Sequence, residues 1–116
     1  MRRLNKKVSK VEYGRFCEIF GEIPKNKILE FLLEMRELDF SIGDIARETR
    51  LNRATTYNIM EQLIKNKYVI LTRKVSGGQL YKLNMDKREV QLLIKIFNLI
   101  LDSIAMEYKE KSKAYA

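Results

Sequence analysis

The sequence predicts a mainly α chain with one small β-hairpin, an α+β fold that ends in a long C-terminal helix, and three observations carry that prediction. Two short amphipathic segments, each preceded by a residue suited to cap a helix, are separated only by Thr49-Arg50-Leu51. One run rich in aromatic and β-branched residues folds back around Gly77-Gly78. From Asp86 to about Ser112, neither proline nor glycine interrupts a helical spacing of apolar side chains.

At 116 residues the chain fits one domain, large enough to bury a core but too small to add an independent catalytic domain. Its formal charge of +8 comes from 23 Lys and Arg against 15 Asp and Glu. Such an excess attracts polyanions over long range and points to nucleic acid or an anionic membrane; a basic solvated surface is the alternative. No apolar run reaches the roughly 18 residues that cross a bilayer, and the N-terminus lacks the apolar stretch of a signal peptide, so a cytoplasmic protein is expected. Cys17 is the only cysteine and histidine is absent. That excludes an intramolecular disulfide and a Cys/His zinc site within one chain, and removes the commonest general base. No catalytic residue, metal or cofactor is expected, and Cys17, set between Phe16 and Ile19, reads as a small core residue rather than a redox sensor.

Residues 1–10 carry Arg2, Arg3, Lys6, Lys7 and Lys10 without an acidic residue and read as a flexible basic arm. Val11 to Phe20 suggests a short helix closed by Gly21, weakened by Gly14. Pro24 suits a first helical turn, and Ile28, Leu29, Phe31, Leu32 and Met35 follow at helical spacing. Asp39-Phe40 reads as an extended link to Ser41, an N-cap with Asp44 three residues on. Ile42, Ile45, Ala46 and Thr49 then share one helical face. After the tight connection at Arg50, Asn52 caps a further helix over residues 53–66. Two helices joined this closely form a helix-turn-helix. Tyr68 to Lys74 and Gln79 to Leu83 read as the strands of the hairpin.

The motif runs Asp44-Ile45-Ala46, then Leu51-Asn52-Arg53-Ala54-Thr55-Thr56-Tyr57, then Leu63 and Tyr68-Val69, with Gly77-Gly78 at the hairpin turn. With this order of elements, residues 19–84 resemble the small prokaryotic, especially archaeal, winged helix-turn-helix transcription regulators of the ArsR/MarR-like kind. The resemblance implies a winged helix-turn-helix, the hairpin being the wing, and the apolar surface of the long C-terminal helix makes that helix the expected dimerisation element. Two positions depart from the family pattern. Arg50 stands where glycine is usual, so the turn either carries roughly 1 kcal/mol of left-handed strain or takes another form. Thr56 stands at a commonly aliphatic core position, where its hydroxyl can bond a carbonyl one turn back.

On the helix 53–66, Thr56, Ile59, Met60 and Leu63 share one face, with Ala54, Asn58, Glu61 and Lys65 opposite and Arg53, Thr55, Tyr57 and Gln62 on the flanks. An isolated amphipathic helix of this kind would be ordinary surface; within a helix-turn-helix its N-terminal half is the part that enters the major groove. Candidate DNA contacts are therefore Asn52, Arg53, Ala54, Thr55, Tyr57, Asn58 and Gln62. Arg suits guanine, Asn suits adenine, Thr and Tyr suit thymine methyl, sugar or phosphate, and Ala54 permits close approach. On the wing, residues 69–83, the candidates are Arg73, Lys74, Ser76, Gly77 and Gly78, placed to grip phosphates; charged edge residues that prevent aggregation are the plainer reading. The basic arm either adds backbone or minor-groove contacts or is a solvated tail.

In the C-terminal segment, 85–116, the stripe Val90, Leu93, Ile94, Phe97, Ile100, Leu101, Ile104 and Tyr108 is expected to form a homodimer interface, because Leu92, Ile96 and Leu99 add apolar surface beyond what a small domain can cover. Residues 11–84 form the DNA-binding domain. The expected function is a double-stranded DNA-binding transcription regulator, a repressor if its site overlaps a promoter. The alternative is an architectural or partition adaptor that coats DNA and recruits a protein partner. No membrane role is expected, since the helix lacks tryptophan and a concentrated basic face.

Overall fold

The computed structural model describes residues 14–115; the basic arm and the start proposed at Val11 lie outside them. Helix α1 spans Arg15–Phe20. Its N-terminus has no side-chain cap of its own; the buried Glu30 carboxylate supplies one from the next helix, accepting from Gly14 N at 2.8 Å and Cys17 N at 3.1 Å. Gly21, at φ 108°, closes α1 with a bond to Cys17 O. Helix α2, Pro24–Glu34, opens with Pro24 in its first turn, where the missing N–H costs nothing.

Helices α3 (Ile42–Thr49) and α4 (Arg53–Lys65) form the helix-turn-helix. Ser41 and Asp44 make the full capping box: Asp44 N donates to Ser41 Oγ and Ser41 N donates to Asp44 Oδ2. The turn resolves the question posed by Arg50, which adopts the left-handed conformation, φ 60° and ψ 35°. Its N–H bonds Arg47 O and the Leu51 N–H bonds Ala46 O, the bond pair of a Schellman motif. Lys67 repeats the device after α4, at φ 67°, with Lys67 N to Ile64 O and Tyr68 N to Leu63 O. Both helices thus end on non-glycine left-handed residues, whose strain is offset by satisfied carbonyls.

Strands β1 (Val69–Val75) and β2 (Gly78–Leu83) pair antiparallel from Val69 opposite Leu83 to Val75 opposite Gly78. The loop is narrower than the sequence suggests: Ser76 and Gly77 alone connect the strands, and Gly78, at φ 143°, already belongs to β2. The register slips between Leu71 and Arg73, leaving Thr72 as the extra residue of a bulge. Phe40 adds a bridge to Tyr81, with two backbone bonds of 2.8 Å, as the extended link requires. Asn84 Oδ1 accepts from Asp86 N, and this turn delays α5 to Arg88–Tyr115.

The core joins Ile28, Leu32 and Leu33 of α2 to Ile45 of α3, Met60 and Leu63 of α4, the hairpin base Val69 and Leu83, and Val90 and Phe97 of α5. Thr56 is fully buried, and its hydroxyl donates to Asn52 O at 2.8 Å, so the polar atom enters the core already partnered.

Part of the expected dimer stripe faces its own domain. Val90 and Phe97 are buried in their own domain, and Leu93, Ile94 and Ile100 pack against the same core. These side chains seat α5 on its own domain, chiefly against α1 and α2. The exposed apolar residues include Leu92, Ile96, Leu99 and Met106. With Ser103 they are spaced four, three, four and three residues apart, the heptad spacing of a helix-pairing seam, of which Leu92 and Ile96 also line a pocket with Leu29, Leu63 and Tyr68. Leu101 and Tyr108 lie nearer the core-facing side yet are also exposed, while Ile104 is half-buried.

Candidate nucleic-acid interface

Helix α4 exposes Arg53, Ala54, Tyr57, Asn58 and Gln62, with Thr55 half-buried beside them. This outer row follows from burial of Thr56, Met60 and Leu63 on the other side. No carboxylate interrupts it before Glu61.

Local bonding separates the two asparagines at this end. Asn52 Oδ1 accepts from Thr55 N at 2.7 Å, capping α4. A bidentate pair with adenine needs both the oxygen and the amide nitrogen, so Asn52 could read a base that way only by uncapping its helix. Asn58 is exposed, six residues further on, without such a commitment.

Arg53 folds back toward α3: a Cβ added at Gly43 would lie 3.2 Å from its Nη2. Gly43 therefore leaves the space that the guanidinium occupies. Arg53 and Tyr57 form one wall of an open cleft of about 320 Å³; the start of α3 at Ser41 to Gly43 forms its floor, and Gly77, Gly78, Gln79 and Tyr81 of the hairpin form the other wall. Tyr81 donates its hydroxyl to Gln79 Oε1 at 2.7 Å, which fixes both side chains on that wall.

On the hairpin, Lys74, Ser76, Gly77 and Gly78 are exposed. Arg73 is exposed but paired with Asp39, which the sequence reading did not single out. Its Nε donates to Asp39 Oδ2 at 3.1 Å. The bonds from Arg73 and then Thr72 hold the Asp39 carboxyl below its usual range, and the pairing raises Arg73. Nothing in residues 39, 72 and 73 as a sequence pattern announces this contact, because it depends on the bulge. Gly43 was likewise unmarked, and only the path of Arg53 explains it.

Cys17 is buried, and that burial, with Glu30 beside it, pushes its thiol up to about 12. It stays a neutral thiol at physiological pH and offers no thiolate for redox or nucleophilic chemistry. Among the described residues, no cluster of three or more His, Cys, Asp or Glu could hold a metal ion, and no helix is long and apolar enough to cross a membrane.

No family model matches the chain, nor does any curated protein. Solved structures do. The adhesin competence repressor AdcR of Streptococcus pyogenes shares 12% identity at a TM-score of 0.57, over 78% of this chain and 67% of AdcR. An apo-form variant of Lactococcus lactis ZitR shares 12% at 0.58, over 88% and 74%. A variant of S. aureus MepR bound to an oligodeoxyribonucleotide shares 17% at 0.54, over 86% and 78%. At these identities the likeness is one of architecture, and with the capped helix pair, the bulged hairpin and the long terminal helix it establishes that the chain has the winged helix-turn-helix fold.

Proposed function

We propose that the protein is a double-stranded DNA-binding transcription regulator that reads the major groove with α4. The observation that carries this reading is the exposed, carboxylate-free row from Arg53 to Asn58, presented beside the basic hairpin across an open cleft. When α4 enters a major groove and the wing reaches the neighbouring minor groove, one sugar-phosphate strand must pass between them. The cleft supplies that passage, with Arg53 and Tyr57 on one side and the hairpin tip on the other. Arg53 is then a phosphate contact, and Asn58, with Gln62 behind it, is the base reader. The likeness to MepR, which has been captured with an oligodeoxyribonucleotide, supports the same ligand class. Repression follows where the bound site overlaps a promoter.

The regulator acts as a homodimer paired along Leu92, Ile96, Leu99 and Met106. A twofold axis through this seam buries apolar surface that one domain leaves in water. It also places two α4 helices on half-sites about one turn of DNA apart, so the target is an inverted repeat.

The test is selection of bound duplexes from a random pool, using the wild type, Arg53→Ala and Asn58→Ala. The wild type should enrich a short inverted repeat. Arg53→Ala should weaken binding to all sequences alike, and Asn58→Ala should relax preference at one position of each half-site. Unchanged affinity and preference in both variants would sink the assignment of α4. Light scattering at micromolar concentration should give a dimer; a monomer would remove the inverted repeat.

A further inference from the structure

Asp39 and Phe40 lead into α3, and this dipeptide grips both strands of the hairpin. Phe40 exchanges its two backbone bonds with Tyr81 on β2. Asp39 holds β1: Oδ2 accepts from Thr72 Oγ1 at 2.6 Å and from Arg73 Nε at 3.1 Å, while Oδ1 lies 3.4 Å from Arg73 Nη2. Consecutive residues of a regular strand point to opposite faces, so Thr72 and Arg73 could not both reach one carboxylate. The bulge removes that alternation. Asp39 is largely covered, its side chain 19% exposed, whereas that of Arg73 is 64% exposed. The guanidinium has five N–H donors; two go to Asp39 and three remain for another partner.

The geometry points to Asp39 as a positioning residue for DNA binding, holding the bulged wing and Arg73 in the orientation that meets a backbone phosphate. This rests on the DNA-binding reading above. Two effects oppose each other. The carboxylate charge weakens the attraction of Arg73 for phosphate at long range. Against that, a two-stranded hairpin has little stability alone, and ordering a long Arg side chain on binding is costly unless it is ordered beforehand. Arg73 is the more exposed partner and Asp39 the more covered, so a phosphate arriving from solvent meets the Arg N–H groups first and the carboxylate at greater, more screened distance. Preorganisation prevails.

Duplex binding is measured against salt for the full-length wild type, Asp39→Asn, Asp39→Ala, Arg73→Ala and the double variant Asp39→Asn with Arg73→Ala, using the selected site. Asp39→Asn keeps an amide oxygen for Thr72 and loses only the charge pair, so a purely architectural role would leave its salt dependence unchanged. Arg73→Ala should lower the slope of log K against log salt by about 0.9. Asp39→Asn should lower affinity about five- to tenfold and reduce the slope in the same direction. The double variant should be no weaker than Arg73→Ala. Wild-type affinity and slope in Asp39→Asn, even with Asp39→Ala impaired, overturn the inference, and so does tighter binding, which would mean that Asp39 masks Arg73. A wild type that binds no duplex overturns the DNA-binding reading itself and this inference with it.

Discussion

The helix-turn-helix and the C-terminal helix are held by opposite means. Between Ser41 and Lys67, position is set by local bonds: a capping box, a second cap at Asn52, a back-bonded Thr56 and two Schellman turns. Helix α5 is held instead by side-chain contacts with residues far away in the chain. It is held by Val90 and Phe97 in the core, with Leu93, Ile94 and Ile100 packed against it, by Arg36 donating to Asn98 at 3.2 Å, and by the surface ion pair of Arg15 with Glu107 at 2.9 Å. Local bonds specify where individual side chains point, which is what reading a groove needs. Apolar contact specifies that two surfaces meet and leaves the partner open.

The sharpest way to break that contrast lies within α5 itself, at two positions of similar chemistry. Phe97→Ala should cost about 3–5 kcal/mol in chemical denaturation, as for a large core residue. Leu99, 64% exposed, should change stability by less than about 0.5 kcal/mol when replaced by Ala at concentrations where the chain is monomeric. Leu99→Asp should nevertheless abolish the dimer in light scattering. A dimer that survives Leu99→Asp would mean the exposed seam is not the pairing face.

The two asparagines sharpen the other side of the comparison. Asn52→Ala should cost about 1 kcal/mol through the lost cap and leave base preference in place. Asn58→Ala should leave the melting temperature unchanged and lose about 1–3 kcal/mol of discrimination at one base pair. An inverted pattern would show that Asn52 gives up its cap on DNA.

A smaller effect is expected at Lys67. Lys67→Gly relieves the left-handed strain but adds freedom to the unfolded chain, for a net gain of about 0.5–1 kcal/mol in thermal or chemical unfolding. A loss there would mean that the strain is already relieved by the surrounding bonds.

The smallest effect is electrostatic. Asp39, held by Arg73, Asp44, held by Arg47, and Glu107, held by Arg15, all titrate below their ordinary ranges. A depressed folded-state value stabilises the fold above the ordinary carboxylate range of about 4 and is lost as pH falls through the depressed values. Glu34, raised by burial and by Glu30, works in the opposite sense and partly offsets the loss. Melting temperature should therefore fall modestly below about pH 4, and less so in high salt, because the pairs are exposed and screened. A salt-independent acid transition would mean that these surface pairs are not its cause.

The sequence was most legible where structure depends on neighbours a few residues apart. Ser41 with Asp44, Asn52, Pro24 and the Gly-Gly turn each mark an element through a bond or torsion closed within four residues. Arg50 marked the position of the unusual turn, though only its torsions settled the form. Two features were out of reach. The contact of Asp39 with Thr72 and Arg73 spans more than thirty residues and exists only because of a register slip, which no alternation pattern encodes. The face of α5 that covers the core was ambiguous because apolar residues occur on both sides of the helix. Periodicity shows that stripes exist, and the shape of the remaining core decides which of them is used.

Beyond Ile100, α5 is held mainly by the surface pair of Arg15 with Glu107, which gives small angular changes long reach. From Phe97 to Tyr115 the helix runs about 27 Å at 1.5 Å per residue, so a tilt of about 5° about Phe97 swings its far end by roughly 2 Å. In the proposed dimer that swing becomes a change in the distance between the two reading heads, measured against the fixed pitch of DNA. Substitutions near Met106 or Tyr108, remote from any base, would then act as a change of gauge: the contacts stay intact while the pair fits a different half-site spacing.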